Sequence, residues 1–140
     1  MRIFAFLLIL FCNQANSMHH NQDIIEIIDP WIRKTQPSVA TTTFYFQVKN
    51  ISKHTDFLIG VTSQISNKIN IQKSVNINNK IQSVIVSNVA IPANTIINFS
   101  PMGINIIIHD ITRALIAGQQ LEFILIFKNA GEKKINAIVR

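Results

Sequence analysis

The 140-residue sequence predicts an all-β protein, an antiparallel β-sandwich or barrel of about nine short strands. Three observations predict it. Short runs of apolar, β-branched and aromatic residues recur, separated by turn-forming residues roughly every ten positions. No stretch sustains the apolar period of an amphipathic helix. Hydrophobic residues make up 48% of the chain and charged residues 14%, which supports a buried core and excludes a disordered polymer. The length suits a single domain. Ile and Asn are heavily used, a bias expected of an AT-rich genome, so the turn spacing weighs more than Ile abundance.

The N-terminus has a separate character. Arg2 gives a short positive region, residues 3–11 (IFAFLLILF) are unbroken apolar, and polar residues follow at once. Such a run suits the core of a signal peptide, whereas a membrane span needs roughly 20 apolar residues. Ala15-Asn16-Ser17 puts small residues where a signal peptidase reads, which predicts a signal peptide over 1–17 and a single domain over 18–140. Cys12 follows Phe11, too bulky for lipoprotein processing, and cleavage would remove this sole cysteine. The exported domain would then lack thiols and disulfides. Its expected location is periplasmic or secreted, with no membrane association after cleavage.

Residues 18–22 (MHHNQ) are polar. Residues 23–34 (DIIEIIDPWIRK) read as one short strand and, past Pro30, a second entered at Trp31. Residues 41–50 (TTTFYFQVKN) give a strong strand signal. A polar loop carrying His54 follows, with the His expected in solvent. Strands are predicted over 57–65 and 68–75, then a hairpin turn at Asn78-Asn79, because Asn tolerates positive φ. Further strands are predicted over 81–89, 94–99 and 104–109, the last two separated by Ser100-Pro101-Met102-Gly103. Residues 110–117 are expected to form one helical turn capped by Asp110 and ended by Gly118. Residues 120–128 align Leu121, Phe123, Leu125 and Phe127 on one face, and Ala130-Gly131 turns into a closing strand over 134–139. Trp31, Phe44, Phe46, Phe123 and Phe127 are the expected core aromatics.

The net charge is +6, but the lysines are dispersed and no basic run carries interleaved aromatics, which argues against a nucleic-acid partner. Asn50-Ile51-Ser52 and Asn98-Phe99-Ser100 match the glycosylation sequon by chance. No phosphate-binding glycine loop and no constellation of paired acids is present, so an enzyme is not expected.

Residues 91–108 (IPANTIINFSPMGINIII) resemble the copper-carrying strand region of the PCu(A)C family of periplasmic copper chaperones. The resemblance extends along the chain. Trp31-Ile32-Arg33, Tyr45-Phe46-Gln47-Val48-Lys49-Asn50 and Asp56-Phe57-Leu58-Ile59-Gly60 are similar to successive motifs of that family, and so is the region from Gly118 through residues 121–127 to Gly131. It implies a cupredoxin-like β-sandwich that carries Cu(I) and delivers it to the copper subunit of cytochrome oxidase, or to another exported protein.

The resemblance also implies where copper would sit. The family's His, Met, His and Met ligands fall at Gln72, Ser83, Asn105 and Ile107 of this sequence. With a two-residue turn at Asn78-Asn79, position 72 faces position 85, and position 83 lies one diagonal step away on the same face. Positions 105 and 107 share a face of another strand. None of the four is a soft donor, and Cu(I) prefers imidazole and thioether, so the family's copper is not expected there. Gln72, Ser83 and Asn105 read as plain polar residues on an exposed patch. Residual copper candidates are a Met102–His109 pair and the N-terminal Met18-His19-His20. After cleavage, His20 would stand third behind a free amine, an arrangement that suits square-planar Cu(II). The competing reading is a metal-free binding or scaffold protein on the same fold.

Overall fold

The computed structural model describes residues 24–140. Ten strands follow in chain order: β1 (Ile25–Ile32), β2 (Thr42–Asn50), β3 (Asp56–Ser63), β4 (Ile69–Ile77), β5 (Lys80–Val86), β6 (Val89–Ile91), β7 (Thr95–Phe99), β8 (Ile104–Ile108), β9 (Gln120–Phe127) and β10 (Gly131–Val139). They hydrogen-bond in the order β5-β4-β8-β7-β2-β1-β10-β9-β3-β6, with β8 also paired to β2. Most pairs are antiparallel, but β1 and β10 run parallel, and so do β7 and β8 at one bridge. The sheet curls over on itself, giving the cupredoxin-like sandwich. Phe44 of β2 stacks on Phe123 of β9 across the interior, with ring centroids 4.3 Å apart.

Strand alternation builds the core. Phe44, Phe46 and Val48 of β2 face inward, as do Leu121, Phe123, Leu125 and Phe127 of β9. Ile106 and Ile108 of β8 are fully buried, and Phe99 stacks on Phe46. Two buried polar side chains tie down the connections. Asn50 Nδ2 donates to the His54 and Ile91 carbonyls, and Asp56 accepts from the backbone N–H groups of Phe57, Asn129 and Ala130. These groups sit in motifs that carry the family resemblance, and their role is to hold turns.

Several sequence expectations need correction. Residues 25–32 form one strand, with a bulge between Ile28 and Trp31 in place of a break. Asp29 takes a φ of 47° there, and Pro30 is accommodated because the ladder is already interrupted. The bulge leaves Ile32 in the core and Trp31 half-buried on the outer face, where it packs on Tyr45 at 4.6 Å. Trp31 is therefore not a core aromatic. The expected strand over 81–89 is divided by a bend at Ser87-Asn88 into β5 and β6, which lie at opposite ends of the sheet order. Residues 110–117 contain no helical turn. Asp110 has a φ of 54°, unlike a helix cap, and buried Ile111 and Leu115 pin the segment through backbone bonds to Ala40 and Thr35.

Candidate metal centre

The Asn78-Asn79 turn forms as predicted, with φ of 51° and 62°, and Ile77 pairs with Lys80 across it. The β4–β5 ladder then sets Gln72 opposite Ile85 and Ser74 opposite Ser83 without a slip. Gln72 and Ser83 are diagonal neighbours on one face, about 7–8 Å apart by strand geometry.

β8 enters on the other side of β4. Along β2 the antiparallel partners run from Ile108 to Ile106 and then jump to Phe99, so the 100–103 segment loops out of the ladder. Ser100 N–H donates to the Ile104 carbonyl, and Gly103 N–H to the Ser100 carbonyl, which makes the excursion tight. The loop lets β8 peel away from β2 and pair with β4, placing Asn105 opposite Gln72 and Ile107 opposite Asn70. Ile104, Ile106 and Ile108 then point into the core, while Asn105 and Ile107 share the outer face with Gln72 and Ser83. All four positions are thus brought onto one face of the β5-β4-β8 strip.

The donor chemistry on that face does not suit Cu(I). Gln72 and Asn105 offer neutral carboxamides, Ser83 an exposed hydroxyl and Ile107 an alkyl group. Among the described residues, no group of three or more His, Cys, Asp or Glu side chains is placed to hold a metal. Asn105 does not lie on an exposed patch: it is 9% exposed, and its Oδ1 is buried without a hydrogen-bond partner. Its enclosure follows from strands on both sides of β8, a feature that needs the pairing partners of 104–108 to be known.

Met102 and His109 are not brought together. Met102 is 86% exposed on the looped-out segment, and His109 follows the far end of β8. About 17 Å of strand lies between them, too far for one ion to bridge. The His109 backbone instead holds the neighbouring connection: its N–H donates to the Lys68 carbonyl, and its carbonyl accepts from Ser66 Oγ. His54 is exposed in its loop. His19 and His20, like the signal peptide over 1–17, lie outside the described residues.

The β1 bulge, in another part of the sheet, carries the clearest perturbed pair. Arg140 binds Asp29 through its two terminal guanidinium nitrogens, at 2.6 and 3.2 Å, and lies 5.9 Å over the Trp31 ring. The hydrogen bond from Arg140 holds the Asp29 carboxyl below its ordinary range.

The family model LpqE-like, described as "Putative lipoprotein LpqE-like", matches residues 25–139. A solved structure of the copper-bound PCuAC domain from PmoF2 is 26% identical with a TM-score of 0.71, covering 84% of this chain and 92% of that one. The apo PCuAC domain from PmoF1 is 23% identical with a TM-score of 0.72, covering 84% of this chain and 93% of that one. Apo-DR1885 from Deinococcus radiodurans is 14% identical with a TM-score of 0.67, covering 100% and 94%, and shares the fold. No curated protein matches the sequence. The chain therefore has the PCuAC fold, and its described residues lack a metal-binding cluster.

Proposed function

This chain belongs to the LpqE-like family, and we propose that it is an exported protein using the PCuAC scaffold without copper, as a metal-free binding or scaffold protein. One observation supports this above the rest. Gln72, Ser83, Asn105 and Ile107 converge on one sheet face, and the set holds no imidazole, thioether or thiolate. A Cu(I) carrier needs soft donors to hold its ion and to exchange it with an acceptor. Export is read from the apolar run 3–11, with cleavage after Ser17 favoured over lipid attachment because Phe11 precedes Cys12. We take the partner to be another exported protein. The copper subunit of cytochrome oxidase is the one the resemblance implies, met here without a metal to hand over.

The test is a Cu(I) titration of the cleaved chain, residues 18–140, which lacks the Cys12 thiol, against a colorimetric chelator. The chelator is expected to keep the copper; competition in the femtomolar to nanomolar range overturns the metal-free reading. For the N-terminal candidate, Cu(II) visible spectra of the cleaved chain with and without His20→Ala show whether His20 holds copper there. Gln72→His, Ser83→Met, Asn105→His and Ile107→Met together are expected to create a site for one Cu(I). A folded quadruple variant that binds none would mean the ligand positions lie elsewhere.

A further inference from the structure

We infer that the free edge of β5 is a self-pairing surface, through which two copies of this chain join antiparallel about Ser83. Flanking a two-residue turn, Ile77 and Lys80 form a mutually hydrogen-bonded pair, and such pairs alternate with non-bonded ones up the ladder. Ile81, Ser83 and Ile85 therefore direct their N–H and C=O groups away from β4. Ser74, opposite Ser83, has the matching orientation: its N–H points away from β5 and donates to the Gly103 carbonyl at 3.2 Å. Among the described residues β5 ends the sheet order, with β4 its only neighbour.

The edge also lacks the usual protection against pairing. Natural edge strands are blunted by shortness, proline, bulges or charge. β6, the opposite edge, is three residues long and is followed by Pro92. β5 is seven residues long, and its register with β4 is unbroken. From Ile81 to Val86 it carries no proline, glycine or charge. Ile81 is 75% exposed and Ile85 67%.

A second copy of this chain fits the edge in one register. With a two-fold axis at Ser83, Ser83 meets its own copy, and Ile81 meets Ile85 of the second copy on the same face. These are the three residues whose backbone groups are free, so one register satisfies all of them. Lys80 falls opposite Val86 of the second copy, and no like charges are opposed. A seven-residue strand pair buries less than a standard interface of about 800 Å² per partner, so association is weak and concentration-dependent.

The test is sedimentation of the full chain from micromolar to millimolar concentration, with hydrogen exchange on the same samples. The mass is expected to move from one chain to two. The amides of Ile81, Ser83 and Ile85 slow with concentration, while those of Gln82 and Val84, already bonded to β4, do not change. Ser83→Lys puts two ammonium groups across the axis and is expected to abolish the dimer, whereas Ser83→Ala leaves it intact. A mass that stays at one chain throughout overturns the inference. So does a dimer that survives Ser83→Lys, or one formed without slowing the three amides. Slowing that requires another exported protein, with this chain alone monomeric, overturns self-pairing in favour of a foreign strand at the edge. If Ser83→Lys fails to fold, exchange on the unmutated chain decides alone.

Discussion

Asn50 and Asn105 are the same residue type at similar depth, 1% and 9% exposed, yet they end in opposite states. Asn50 Nδ2 donates to the His54 carbonyl at 2.8 Å and the Ile91 carbonyl at 2.9 Å, while its Oδ1 accepts from Ser52 N–H and Oγ–H. That uses both donors and both lone pairs of the carboxamide. Asn105 keeps a buried Oδ1 with no partner. One region has its polar group as a working part of the fold, clamping the β2–β3 connection to β6. The other has a polar group where the fold has no need for it, on the face where related domains are expected to hold copper. A sheet can preserve the directions of its side chains after the chemistry they served has gone, because direction is set by pairing and not by residue type.

The comparison breaks most visibly at Asn50. Asn50→Ala removes four hydrogen bonds, two of them to the His54 and Ile91 carbonyls, so the expected loss is about 2–4 kcal/mol. Urea unfolding should show a lower midpoint at an unchanged slope. A loss under about 0.5 kcal/mol would mean that water replaces these bonds and that the two asparagines differ less than the structure indicates.

At Asn105 the expected sign is reversed. Replacing an unpaired buried acceptor by an alkyl group of similar size removes a desolvation penalty, so Asn105→Leu should gain about 1 kcal/mol. If stability falls instead, a donor reaches Oδ1 in solution. The amide of Gln72, directly opposite, is the nearest candidate by register. A double-mutant cycle with Gln72→Leu would reveal that coupling.

The same contrast separates what was legible in the sequence from what was not. The Asn78-Asn79 turn, the inward face of 120–128 and the alternation of 105 and 107 are local patterns, and the structure keeps them. The facing of 72 and 85 followed from the turn length alone. The proximity of Gln72 to Asn105 did not, because β4 and β8 are distant in sequence and pair only after the 100–103 segment loops out. The burial of Asn105 depends on the same non-local pairing. Trp31 was misplaced because a single bulge residue reverses which side chains face inward. The failed helical turn at 110–117 shows packing overriding local propensity: Ile111 and Leu115 are both buried, and the backbone follows them.

The smallest expected effect concerns a polar pair that is neither buried nor orphaned. Asp29 and Arg140 meet at the β1 bulge with side chains 60% and 50% exposed, joining β1 to the residue that follows β10. The hydrogen bond from Arg140 lowers the Asp29 pKa below 3.8 in the folded chain, so folding favours its ionised form. The pair therefore contributes fully at pH values well above 3.8, and its contribution fades as pH falls through that value toward the folded pKa. Asp29→Asn removes the dependence. Thermal midpoints of the two chains should differ slightly at pH 7 and converge as the pH approaches the acid limit, with added salt narrowing the gap at neutral pH. A gap that widens on acidification would show that Asp29 is no better stabilised as an anion in the fold than out of it. The bulge, with its positive φ at Asp29, would then be held by the packing of Trp31 on Tyr45, without help from charge.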